Sequence, residues 1–288
     1  MGVLIMKKLI ILLIMIFTFI IFMKVYVVYN LNKEQIPVLS YHDFVYDESN
    51  ISDSNTMDAL NFDKQMKYLK DNDYTTLTLD QFYCWKKKKC EVPKKSVVLT
   101  FDDGYYNIYY IVKPILEKYN YHGAIFIIGN MTNDVTKPFN INEYGTIGLD
   151  IINKPDNTLE YQSHSYDLHQ TINNKAKVLV ASKEELDNDF LKMQQVINSE
   201  YFAYPFYTDN KIVHEILKKY NYKLAFRGES EKATRNVNDY QVPRIPVSND
   251  FNDFKKIFET KKYNNRYGNG LIRKVFVNIE RKLKIKLF

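Results

Sequence analysis

Cysteine is nearly absent: Cys84 and Cys90 are the only two in 288 residues. That excludes a four-thiolate zinc site and a disulfide-built scaffold. It leaves one bridge across the intervening WKKKK run in an oxidising compartment, with two unpaired thiols as the alternative. Glycine and proline are scarce too, at 9 and 8, too few for a collagenous or Pro/Gly-rich disordered chain. The 45% hydrophobic content is enough to bury a sizeable core. An excess of one charge is also missing. Lys+Arg of 40 against Asp+Glu of 34 leaves +6, with local basic clusters only at 86–89 and 273–286, and this excludes nucleic acid as a partner. Five histidines in all make a histidine-rich multi-metal phosphoesterase a poor fit. No internal repeat is visible, and no low-complexity linker divides residues 31–262.

Aromatic residues are abundant, with 24 Tyr and 18 Phe. Rings of this kind stack on sugars, but a coding bias favouring Tyr, Asn, Lys and Ile together gives the same excess, so the count alone identifies no ligand. After Lys7 and Lys8 the chain is apolar from Leu9 to Met23 apart from Thr18, and after Lys24 it continues as VYVVY to Tyr29. A helix over that stretch covers roughly 30 Å, the thickness of a bilayer core. The run ends in Met23, Lys24, Val25 and Tyr26 with no small-residue cleavage site, so it reads as an uncleaved anchor rather than a signal peptide. Lys7 and Lys8 then hold the N-terminus in the cytoplasm. The expected layout is a single-pass cell-membrane protein: residues 1–30 the anchor, 31–262 one extracellular domain, and 263–288 a basic tail.

Within the domain, short β-rich runs alternate with amphipathic segments. Candidate strands are Pro37 to Ser40, Tyr74 to Leu77, Val97 to Phe101, Ala124 to Ile128, Leu159 to Ser163, Tyr201 to Tyr204, Lys223 to Phe226 and Val242 to Val247. Between them, Phe62, Met66 and Leu69 share a helical face, as do Leu186, Phe190, Met193 and Ile197, and Ile212, Val213, Ile216 and Leu217. Asp209 and Asp250 are placed to cap the helices that follow them. The alternation predicts an α/β fold, a distorted (β/α) barrel of about seven βα units preceded by one transmembrane helix. Chemistry in such barrels gathers at the C-terminal strand ends.

Two polar stretches fall at those ends. Asp102, Asp103 and Gly104 follow the buried-strand pattern of Val97 to Phe101. Two adjacent carboxylates there are costly unless a cation or a proton separates them, which points to a metal. The other stretch runs from Ser163 through His164 to His169. Histidines five apart do not share a helix face, so they converge on one ion only if the strand-end chain turns irregularly. One Asp and two His would leave coordination positions open, as at a catalytic site.

The segments LTFDDGY, SHSYDLH, FAYPF and PVLSYHDF resemble the polysaccharide deacetylase domain (NodB homology, carbohydrate esterase family 4). More narrowly, the five-residue histidine spacing and the opening Tyr41-His42-Asp43 are similar to the branch that de-N-acetylates poly-β-1,6-N-acetylglucosamine in biofilms. The resemblance covers roughly residues 36–250 and implies a metal-dependent enzyme. Asp103, His164 and His169 would hold a divalent cation, Zn2+ first and Co, Ni or Fe as alternatives. Asp102 would be the general base and His42 the general acid. The Phe206 backbone N–H would hold the oxyanion, and Tyr105, Tyr166 or Tyr207 would offer sugar-stacking surface. An Arg expected before the third motif is missing from Tyr201 to Phe206. Arg244 is the replacement expected to pair with Asp102, and Arg227 the weaker one. His122 and His214 match no motif and read as structural. The implied partners are an N-acetylglucosamine polysaccharide, the membrane, and polysaccharide synthase or export machinery. Other possible readings are a peptidoglycan or chitooligosaccharide deacetylase, or an inactive glycan-binding relative.

Overall fold

The computed structural model describes residues 2–31, 34–46 and 54–259. The compact unit is Gln35–Glu259. The basic tail expected at 263–288 lies outside the described residues.

Seven parallel strands close into a barrel in chain order: β1 (Val38–Tyr41), β2 (Ser96–Phe101), β3 (Gly123–Ile127), β4 (Leu159–Ser163), β5 (Tyr201–Ala203), β6 (Leu224–Gly228) and β7 (Val242–Pro246). The ring closes because β1 pairs with both β2, Leu39 opposite Leu99, and β7, Leu39 opposite Ile245. The Tyr74 to Leu77 segment does not join the ring. It shortens to Thr75–Thr76, which pairs with the first two residues of β2.

Strand periodicity sorts the side chains into two layers. Val38, Val98, Ala124, Phe126, Tyr201, Ala203, Leu224, Phe226 and Val242 pack in one cluster with Phe82 and Trp85. Those two come from the helix Leu79–Lys86, which a Thr78–Gln81 capping box starts. The alternate residues Phe202 and Ala225 pack outward, against Leu186, Phe190, Val213, Ile216 and Leu217 of the surrounding helices. Continuing the inward row past the apolar layer gives Thr100 and Asp102 after Val98, and Arg244 after Val242. The polar residues of each row therefore sit at the C-terminal ends.

Local details differ from expectation. Asn210, not Asp209, caps the helix Lys211–Lys219 by accepting from Val213 N–H. Asp209 is instead drawn to His214, Arg227 and Gln241. Asp250 does cap its helix, accepting from Asn252 and Asp253. Ile212 is exposed, although its neighbours Val213, Ile216 and Leu217 are buried. Cys84 and Cys90 are joined as a disulfide. Residues Gly2–Leu31 form an α-helix, but among the described residues no helix is long and apolar enough to cross a membrane. The transmembrane expectation thus finds no support among the described residues.

Candidate metal centre and catalytic site

The last residues of β2 and the turn after it separate the neighbouring carboxylates. Asp102 N–H still bonds to Tyr41 C=O at 2.9 Å, so Asp102 prolongs the strand and points inward. Asp103 and Gly104 then adopt positive φ, 71° and 74°. Aspartate tolerates that region and glycine fits it freely, while a Cβ at Gly104 would lie 3.0 Å from Ile127. The turn swings the Asp103 side chain away from Asp102 and toward β4.

At the end of β4, His164 N–H bonds to Ile127 C=O, 2.8 Å away, extending that ladder by one residue. Its Nδ1 lies 2.8 Å from Ala203 C=O. A carbonyl only accepts, so Nδ1 carries the proton and Nε2 presents its lone pair. That Nε2 is 3.5 Å from Asp103 Oδ1, and His169 Nε2 is 3.3 Å from the same oxygen. The three ligand atoms lie within 4.8 Å of one another. Asp103 Oδ1 is buried without a hydrogen-bond partner, a costly arrangement for a carboxylate oxygen unless a cation sits there. Burial pushes His164 down to about 4, against the pull of the Asp102 and Asp103 charges, which keeps the imidazole neutral and able to bind a metal. The residues present fit a divalent cation with three protein ligands and open positions.

Asp102 faces a different cation. Arg244, fully buried on β7, donates from Nη1 to Asp102 Oδ1 at 2.6 Å and from Nη2 to Oδ2 at 2.7 Å. Burial alone would raise the Asp102 carboxyl, but the Arg244 charge, with His164, the Arg244 hydrogen bonds and His42, holds it well below the usual carboxylate range. Arg227 takes no part, since it pairs with Asp209 and Glu229.

His42 follows β1, its Nε2 3.7 Å from Asp102 Oδ2. Tyr207 OH lies 3.4 Å from that nitrogen and 2.9 Å from Ser40 Oγ. The Tyr207 ring also covers Arg244 at 5.1 Å. Sequence reasoning offered Tyr207 only as a stacking surface. The signal it missed is Gly228, where a Cβ would lie 2.6 Å from the Tyr207 ring. Phe206 and Tyr207 both have positive φ, and the Phe206 ring stacks on His169 at 4.7 Å. Tyr105 meets Tyr144 edge to face at 5.2 Å, and burial, then the Asp103 charge, raises its phenol above its ordinary range. Tyr166 lies instead under Lys192. His122 and His214 stand apart from the cluster, paired with Glu160 and Asp209.

Residues 89–225 match the family model for polysaccharide deacetylase. A poly-β-1,6-N-acetyl-D-glucosamine N-deacetylase of Staphylococcus aureus is 33% identical over 203 residues, 66% of this chain and 67% of that protein. Among solved structures, the Streptococcus pyogenes deacetylase PplD in complex with acetate aligns with a TM-score of 0.64 at 23% identity, over 80% of this chain and 100% of that one. IcaB from Ammonifex degensii aligns with a TM-score of 0.64 at 20% identity, over 78% and 95%.

Proposed function

This chain belongs to the polysaccharide deacetylase family, and we propose that it hydrolyses the N-acetyl groups of poly-β-1,6-N-acetyl-D-glucosamine, releasing acetate at the outer face of the cell membrane. The observation that carries the reading is the meeting of Asp103, His164 and His169 around an unpartnered oxygen, beside an Asp102 held by Arg244. The linkage rests on the Staphylococcus relative and on the five-residue histidine spacing.

A divalent cation held by Asp103, His164 and His169, Zn2+ in our reading, would supply Lewis acidity to the attacking water and the acetamide carbonyl. Asp102 accepts the proton as the water oxygen bonds to the carbonyl carbon. It stays ionised for that task because Arg244 holds both its oxygens from behind. In this reading the Phe206 N–H would hold the oxyanion. As the C–N bond breaks, His42 gives the leaving amine its proton, and Tyr207 keeps the imidazole in place. The exposed Tyr144 beside Tyr105 extends the aromatic surface along which neighbouring sugars would lie.

Each acetamide removed leaves an amine that is largely protonated near neutral pH, turning a neutral glycan into a polycation that adheres to an anionic envelope. The anchor is retained in the proposal on the strength of residues 9–29 alone, and it would set the enzyme where synthase or export machinery delivers the polymer. Acetate release by the full-length protein from β-1,6-linked, β-1,4-linked and peptidoglycan substrates, with and without chelator, tests the reading. Turnover of the β-1,6 oligomers that chelator abolishes is the expected result. Turnover confined to β-1,4 oligomers or peptidoglycan would leave only the broader deacetylase, and none on any substrate would favour an inactive glycan binder. Membrane fractionation tests the anchor, and a soluble form beginning near residue 25–30 would refute it.

A further inference from the structure

His164 and His169, the ligands of the proposed metal centre, bracket an irregular loop that begins where β4 ends. Something must hold His164 and His169 at one point. Ser165 has a φ of 75°, its N–H reaches Ser163 Oγ at 3.3 Å, and its own Oγ accepts from Leu168 N–H at 3.2 Å. On one side the loop lies against Gly129 and Asn130, whose N–H groups bond to the Ser165 and Tyr166 carbonyls at 3.0 and 2.9 Å. A Cβ at Gly129 would come 2.8 Å from Met193 Sδ and from the Tyr166 ring and 3.2 Å from the Tyr166 Cα, so a side chain there would push the segments apart.

On the other side stands Asp189, buried on the helix Lys183–Val196. Its Oδ1 accepts from Tyr166 N–H at 2.9 Å and its Oδ2 from Asp167 N–H at 2.6 Å. Those are consecutive amides in the middle of the loop, between the two histidines. Asp189 thus spends both oxygens on backbone N–H groups in a place where burial disfavours a carboxylate. Charge-assisted bonds to two adjacent amides fix a peptide unit in position and orientation together, and no neutral side chain of this size offers two acceptors with the same spacing.

We propose that Asp189 is a positioning residue for the metal centre: its carboxylate clamps the Tyr166 and Asp167 amides so that His164 and His169 converge on Asp103. This deepens the deacetylase reading, since it takes those three residues as metal ligands. In Asp189→Asn one oxygen becomes an NH2 facing an N–H, so one bond is lost and a donor meets a donor.

The test is Co2+ titration of metal-free full-length protein, read by its d–d absorption and by competition with a chelator. Wild type should bind one ion per chain. Asp189→Asn should bind about 10- to 100-fold more weakly, the usual cost of losing an outer-shell partner, with an altered spectrum. Asp189→Glu, which keeps two acceptor oxygens, should recover some of the affinity. A tether important only to folding would lower the melting temperature and leave the spectrum and affinity of the folded protein alone. Folded Asp189→Asn protein that binds Co2+ within twofold of wild type and with the same spectrum overturns the proposal. If that variant does not fold, hydrogen exchange in wild type decides. Strong protection of the Tyr166 and Asp167 amides that Co2+ increases further supports the clamp, and fast exchange with or without the ion removes it. Wild type that takes up no Co2+ would instead defeat the metal-dependent reading itself.

Discussion

Replacing Arg244 by Met tests the internal ion pair that holds Asp102, the proposed base. The guanidinium is wholly buried, lies 5.1 Å from the Tyr207 ring and 5.6 Å from Phe126, and makes two short bonds to Asp102. Methionine approximates the volume but leaves Asp102 facing an apolar side chain. Removing one partner of a buried pair costs about 3–5 kcal/mol, which for a domain of this size lowers Tm by roughly 6–20 °C. The penalty comes mostly from the stranded carboxylate, so the double variant Asp102→Asn/Arg244→Met should lose less than the sum of the two single changes. Thermal unfolding of the metal-free proteins measures all four corners of the cycle, with acetate release measured alongside. Arg244→Lys should keep the charge but lose the two-pronged grip, and so retain more stability than turnover. A Met variant melting within about 1 °C of wild type, or a strictly additive cycle, would show that Arg244 does not compensate the buried charge, contrary to the usual cost of stranding one.

His164→Ala or His169→Ala should abolish metal binding and activity together, checked by metal analysis of purified protein. Asp102→Asn is expected to keep the metal and lose turnover; full activity in that protein would remove Asp102 as base. His42→Ala should keep the metal while turnover falls about 10²- to 10⁴-fold, the usual worth of a positioned acid. Burial pushes the Asp189 carboxyl up to about 6, from an ordinary value of 3.8. Between those values the folded protein holds a proton that the unfolded chain has released, so the contribution of this site to stability falls as pH rises through that window. Asp167 and Lys177 face the same carboxylate with opposite effects, and Asp189→Asn should flatten the Tm slope between about pH 4 and 6 relative to wild type.

Much of this arrangement was legible in the sequence because strand ends are marked by abrupt changes of residue type. Val97 to Phe101 followed by two carboxylates, and Leu159 to Ser163 followed by a histidine, announce barrel strands and their C-terminal ends. What was not legible depends on distant loops. Asp209 looked like a cap, since it stands three positions before an apolar helical face, yet Asn210 takes that role and Asp209 answers to Arg227 and Gln241. Tyr74 to Leu77 has the composition of a strand, but the ring is already closed by β1 meeting β2, which leaves it only two residues of pairing. Asp189 was invisible because its partners are backbone amides of residues 22 and 23 positions away, and backbone donors carry no residue identity to read.

The adjacent carboxylates show where a sequence-level inference was right in kind and incomplete in number. Crowding at Asp102 and Asp103 implied one cation, on the argument that two buried charges on neighbouring residues cannot stand unneutralised. The turn resolves the conflict by separating them. Asp102 keeps the strand conformation and meets Arg244 inside the barrel, whereas the positive φ at Asp103 carries its carboxylate to the histidine pair. Two acids side by side in the chain therefore face two different surroundings, one the permanent cation of Arg244 and the other a histidine pair with which Asp103 could hold a metal. In the proposed mechanism that division would let Asp103 serve as a ligand while Asp102, held from behind by Arg244, would remain free to take a proton. A Gly104 variant with a side chain would strain the turn against Ile127 and should damage metal binding while leaving the Asp102–Arg244 pair intact.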